Sequence, residues 1–255
     1  MSGKHPQKNI EYLFGLHSSL SVLQKNPLRI LEVYLQQGRS DPKLDKILAE
    51  IQHNGLPTQW VARKTLDKLA EQGNHQGIVL RCKAEAEKDE FWLLEQLEQQ
   101  EQVPLLLVLD GVQDPHNLGA CLRSADAAGV NAVIIPKDRA VGMNATVRKV
   151  ASGGAENVPL ITVTNLARTL RNLQEQGIWL VGLAGEAQAT LYATDLTGPM
   201  ALVMGAEEKG LRRLTRDTCD QLVKIPMLGQ VESLNVSAAS SVCLFEVLRQ
   251  RQFSK

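Results

Sequence analysis

The 255-residue chain carries 28 Lys+Arg and 28 Asp+Glu, a formal net charge of zero, and 44% of its residues are hydrophobic. That length holds one large domain or a small and a medium one, and the neutral sum excludes the uniformly basic make-up of a general nucleic-acid binder. Met1–Asn9 is polar and lacks the apolar stretch of a secretory signal. The longest apolar run, around Val103–Leu109, is far too short to span a membrane. A cytoplasmic protein with no membrane partner is therefore expected. Cys82, Cys121, Cys219 and Cys243 are widely spaced, with no Cys-x-x-Cys pair and no histidine at ligand spacing. They support neither a disulfide framework nor a metal site, and buried free thiols are expected.

In chain order, Ile30–Leu35 reads as a strand, and residues 44–52 read as a helix stopped by Asn54-Gly55. A second helix over 64–71 and a strand at Ile78–Cys82 complete a small βαβ-like α/β domain over residues 1–82. This part is mildly basic, with 11 Lys+Arg against 7 Asp+Glu. Residues 83–103 are an acidic linker, with 2 against 7, and contain neither Gly nor Pro. Phe91, Leu94 and Leu97 recur at helical spacing there and predict a helix packed against one domain.

From Pro104 onward the pattern becomes regular. Strands are predicted at 105–109, 132–135, 160–163, 178–182, 201–204 and 222–225. A helix runs over 117–128 to a stop at Gly129, and a final one over 235–250. Leu105–Leu109 is apolar throughout, as in a parallel strand covered on both faces. Strand, helix, strand in succession predicts a doubly wound parallel α/β sheet over 104–255.

The common nucleotide signatures are missing. The turn Asp110-Gly-Val-Gln-Asp-Pro-His-Asn-Leu-Gly119 holds neither G-x-G-x-x-G nor a P-loop. Three stretches, the first overlapping this turn, each place polar side chains and glycines after an apolar strand. They are Asp114-Pro-His-Asn-Leu-Gly-Ala-Cys-Leu-Arg123, Met204-Gly-Ala-Glu-Glu-Lys-Gly-Leu211 and Ile225-Pro-Met-Leu-Gly-Gln-Val-Glu-Ser-Leu-Asn-Val-Ser237. Outside the carboxyl ends of parallel strands is where such sheets bind ligands. Asn117 at a helix start reads as a cap or a functional amide. Gly119 in a first helical turn points to close approach of a backbone or ligand. Arg123, among small residues, needs an anion, either Asp126 at i+3 or a ligand. Glu207 pairs with Lys209 or Arg212, or serves a site. Ser233 and Asn235 are good caps as well as candidate polar groups.

In order and spacing, the three stretches resemble the three motifs of the SpoU/TrmH class of RNA ribose 2′-O-methyltransferases, in the SPOUT superfamily. The resemblance extends from about Tyr12 to the end. It is strongest to enzymes that methylate a guanosine ribose in 23S rRNA, because residues 1–82, with Phe14-Gly-Leu-His17 and His75-Gln-Gly-Ile78, look like the L30e-like substrate-binding domain that precedes the catalytic domain there. The resemblance implies a trefoil knot in the C-terminal domain, S-adenosylmethionine as cofactor, and a homodimer. It also implies catalytic roles for Asn117, Arg123, Glu207, Ser233 and Asn235. Cofactor contacts fall to Met204, Gly205, Ile225, Pro226 and Leu234. Two other readings stay open: a tRNA ribose methyltransferase, which would not need the first domain, and a catalytically silent RNA-binding assembly factor.

Overall fold

Alternation of side chains along the strands decides how the layers form. The computed structural model describes residues 10–39, 41–71, 73–84, 88–207 and 209–253, so the polar stretch 1–9 lies outside them. The chain divides into two units, Met1–Ala86 and Glu87–Lys255.

The first unit runs β1 (Ile10–Phe14), α1 (Leu16–Lys25), a short 3-10 turn, β2 (Ile30–Gln36), α2 (Pro42–His53), β3 (Thr58–Val61), α3 (Arg63–Leu69) and β4 (Ile78–Lys83). Its sheet has the order β1-β4-β2-β3. Strand β4 is antiparallel to both β1 and β2, while β2 and β3 are parallel. The expected βαβ-like unit is thus a four-stranded mixed sheet. Leu23, Leu44 and Ile47 from the helices pack with Val33, Leu35 and Leu80 from the strands on one face. The start of α1 is satisfied by Gln76, whose side-chain oxygen accepts the Leu16 N–H at 3.1 Å. His17 is exposed and takes no part in that cap. His75 is buried; its Nδ1 accepts the Gly77 N–H at 2.9 Å and its Nε2 lies 3.1 Å from Asp67.

The second unit begins with α4 (Glu90–Gln99), started by Asp89, which accepts the Trp92 N–H. This is the helix predicted in the acidic linker, but its inward residue is Leu93, with Trp92, Leu94 and Leu97 partly covered; Phe91 points to solvent. The chain continues through β5 (Leu105–Asp110), α5 (Pro115–Ala127), β6 (Ala132–Pro136), α6 (Ala145–Ala151), α7 (Gly154–Asn157) and β7 (Leu160–Val163). It then forms α8 (Leu166–Glu175), β8 (Trp179–Leu183), β9 (Ala189–Thr190), β10 (Met200–Gly205), α9 (Arg213–Thr218), β11 (Gln221–Lys224) and α10 (Val236–Phe253).

The seven strands lie in the order β7-β6-β5-β10-β8-β11-β9, and every neighbouring pair is parallel. Successive residues of a strand face opposite sides, and here both sides are cores. Leu105, Leu107 and Leu109 of β5 join Met200, Leu202 and Met204 of β10 against α5 and α10. Leu106, Val108, Ala201 and Val203 face the other way, against Leu166, Leu170 and Leu173 of α8. Among the described residues, no helix is long and apolar enough to cross a membrane.

Candidate active site

Strand β5 delivers the first motif. Helix α5 is capped by Asp114, whose Oδ1 accepts the His116 N–H at 2.8 Å, with Pro115 fixing the first turn. That hydrogen bond holds the Asp114 carboxyl below its ordinary pKa. Because Asp114 caps the helix, Asn117 is relieved of that task. It is buried and turned toward the second motif, donating from Nδ2 to Glu207 Oε1 at 2.7 Å. Gly119 explains itself by packing: an added Cβ would lie 2.7 Å from Val150 Cβ and 2.8 Å from the Val147 carbonyl on α6.

The second motif leaves β10 at Gly205. A Cβ at Gly205 would lie 2.1 Å from the carbonyl carbon of Gly210, so only glycine lets the loop fold back this closely. The Gly210 N–H returns to the Ala206 carbonyl at 2.8 Å. Glu207 therefore sits on a tight loop, and it bonds neither Lys209 nor Arg212. Its Oε1 accepts from Asn117 and from Asn235 Nδ2. Asn235, from the third motif, also donates to Asn117 Oδ1 at 3.1 Å. It starts α10 by accepting the Ser237 N–H at 2.9 Å and the Ser237 hydroxyl at 2.6 Å. The three motifs thus meet in one hydrogen-bonded junction.

A cavity of about 320 Å³ opens beside this junction, lined by Met204, Gly205, Glu207, Ile225, Ser233 and Leu234 among others. Pro226 is exposed and outside that lining. A second cavity, of about 440 Å³, lies across the 206–210 loop and takes Asn117 and Glu207 into its wall. Asn235 lines neither and acts as the strut between them. Arg123 stands apart from both cavities. It is exposed on α5, and among the described residues it has no ion-pair or hydrogen-bond partner. The expected partner, Asp126, instead accepts from Asn157 at 2.9 Å.

Sequence reasoning missed Asp110, the terminal residue of β5. It is fully buried and takes the Arg212 N–H at 3.0 Å and the Arg212 guanidinium. A carboxylate closing a run of five aliphatic residues was the available signal, since a buried charge needs a partner. It also missed the ion pair of Glu186 with Arg216, two residues that line the smaller cavity. Among the described residues no cluster of acids, histidines or cysteines is arranged to hold a metal ion.

Residues 104–245 match the SpoU rRNA Methylase family, and residues 12–87 match the family of RNA 2'-O ribose methyltransferase substrate-binding domains. The chain is 59% identical over 245 residues to the 23S rRNA (guanosine-2'-O-)-methyltransferase RlmB of Vibrio parahaemolyticus, covering 96% of this chain and 99% of that one. A solved RNA 2'-O ribose methyltransferase superposes with a TM-score of 0.76 at 27% identity, covering 95% of this chain and 89% of the other. The same fold is found in the SpoU methyltransferase AviRb of Streptomyces viridochromogenes, solved with its cofactor AdoMet (TM-score 0.78, 23% identity, 97% and 92% covered). The chain belongs to the SpoU rRNA methylase family.

Proposed function

We propose that this protein transfers a methyl group from S-adenosylmethionine to the ribose 2′-oxygen of a guanosine in 23S rRNA. The junction of Asn117, Glu207 and Asn235 carries this reading, because it joins all three motifs at the wall between two cavities. The substrate follows from the relative in Vibrio parahaemolyticus, which is similar along almost its whole length. Residues 1–82 hold the RNA, 83–103 connect, and 104–255 carry the chemistry.

The smaller cavity suits the cofactor. Its volume of about 320 Å³ lies within the range of small-molecule sites, roughly 300–1,000 Å³. Met204, Ile225 and Leu234 give apolar walls, Gly205 exposes backbone, and the Glu207 carboxylate suits a cation. Pro226 fixes the backbone at the exit of β11. When bound, the cofactor supplies a methyl group on a positively charged sulfur. The protein's own task is then to place and polarise the 2′-oxygen, and orientation supplies much of the rate. Asn117 and Ser233 hold that position from the cavity walls, and Asn235 braces Asn117, with Glu207 fixing both amides.

Arg123 stabilises negative charge on the 2′-oxygen or its phosphate; a guanidinium stays protonated and is no base. It reaches the site from a second copy of the chain. Helix α5 packs on α10, where Ser124 and Ser241 hydroxyls lie 2.7 Å apart. Phe245 on α10 and Leu228 and Val231 before it are exposed apolar residues that a homodimer would cover. The segment from β11 through α10 is the part we assign to the family's trefoil knot.

Ribose methylation of 23S rRNA, mapped by mass spectrometry in cells with and without this protein, tests the reading. Loss of one 2′-O-methylguanosine, restored by the purified protein and S-adenosylmethionine, is expected. Identical methylation in both strains, with no transfer in vitro, would overturn it.

A further inference from the structure

The larger cavity holds a residue that no motif contains. Arg139 lies in the loop after β6 and lines this cavity together with Gln113, Asp114, Asn117, Glu207 and Lys209. Its backbone is left-handed, with φ of 60°, a conformation that non-glycine residues adopt at a cost and that concentrates at ligand clamps. The loop is held there: the Val141 N–H donates to the Val112 carbonyl at 3.0 Å, and Gln113 Nε2 to the Arg139 carbonyl at 3.5 Å. The guanidinium itself is exposed and, among the described residues, has no partner. A strained backbone thus presents an uncommitted arginine at a cavity that shares Glu207 with the cofactor cavity.

From these observations, and resting on the function proposed above, we propose that Arg139 is a specificity-determining residue that reads the target guanine. A ribose inside a stacked strand cannot reach a methyl donor enclosed by these loops, so the target nucleotide must be unstacked and turned into the larger cavity. At about 440 Å³ that space admits a nucleoside. The planar fork of an arginine matches the O6 and N7 acceptors of guanine, which adenine cannot offer together. Asp114 supplies the complementary acceptor. Its Oδ1 is taken by His116, and its Oδ2 carries no hydrogen bond among the described residues, so it is free for guanine N–H groups.

The test uses the full-length chain and an rRNA transcript bearing either guanosine or 7-deazaguanosine at the mapped position. Arg139→Gly removes the side chain and suits the left-handed backbone, so folding should be unharmed. This variant should keep the cofactor affinity of the wild type while its kcat/KM on the guanosine transcript falls about 10–100-fold, the discrimination typical of a bidentate contact. Loss of N7 should slow the wild type and leave Arg139→Gly unaffected. The proposal is overturned if Arg139→Gly keeps wild-type kcat/KM, or if both proteins respond equally to the 7-deaza transcript. A wild-type protein that methylates neither transcript would instead remove the functional reading, and Arg139's role with it.

Discussion

Asp110 and Arg212 form an ion pair in which the carboxylate is fully buried while the guanidinium keeps part of its surface in water. The pair ties the end of β5 to the loop that carries Glu207. Its two halves are therefore unequal. Arg212→Ala leaves a buried carboxylate with only a backbone N–H, and breaking a buried pair this way costs about 3–5 kcal/mol. Asp110→Asn keeps the shape and an oxygen for the Arg212 N–H, and frees an arginine that can reach solvent. Urea denaturation should show the larger loss for Arg212→Ala.

Glu207 separates structure from chemistry. Its Oε1 accepts two amide N–H groups, a task that a glutamine oxygen can also perform. Glu207→Gln should hold thermal stability within about 0.5 kcal/mol, as for a substitution that disrupts no packing. Methyl transfer should nonetheless fall strongly if the carboxylate charge assists the site. Unchanged turnover would reduce Glu207 to a scaffold.

Among the described residues Arg123 has no hydrogen-bond or ion-pair partner, so Arg123→Ala should leave the melting temperature unmoved. Turnover should drop about 10²–10³-fold, the usual cost of one preorganised electrostatic donor. Arg123→Lys should restore part of it, since an ammonium keeps the charge without the fork. Mixing Arg123→Ala protomers with protomers disabled at the cofactor cavity tests the route across a dimer. Recovered activity places Arg123 in its partner's site.

The thiols should be chemically silent. Burial pushes Cys243 up to about 12 and, against a small opposing effect of Ser240, Cys121 up to about 11. Only the thiolate reacts, so iodoacetamide at pH 8 should leave both unmodified in the native protein and alkylate them in urea. Rapid labelling of either under native conditions would show that α10 lifts from α5.

The central strands and the meeting of the motifs were legible because their signals are local: unbroken aliphatic runs, then glycine and amide side chains at strand ends. The short strands were not. In β1, Gly15 alone separates strand from helix, so the apolar pattern runs on without a break. Strand β3 is four residues long with an exposed Trp60 at a sheet edge, and β9 has only two residues. The cap of α5 stays open in the sequence for a different reason. Asp114 and Asn117 are both good caps, and only the position of Pro115 in the first turn decides between them. Asp110 escaped because its partner lies 102 residues away, beyond any spacing rule.

The junction bonds of Asn117 bridge 90 residues to Glu207 and 118 to Asn235. Contacts of such separation can form only when the long loops between them are closed, which carries an entropic cost. Any partly folded form in which α10 has not docked therefore lacks the strut between the two cavities. The junction thus exists only once α10 has docked, and its presence reports the completeness of folding in the second unit.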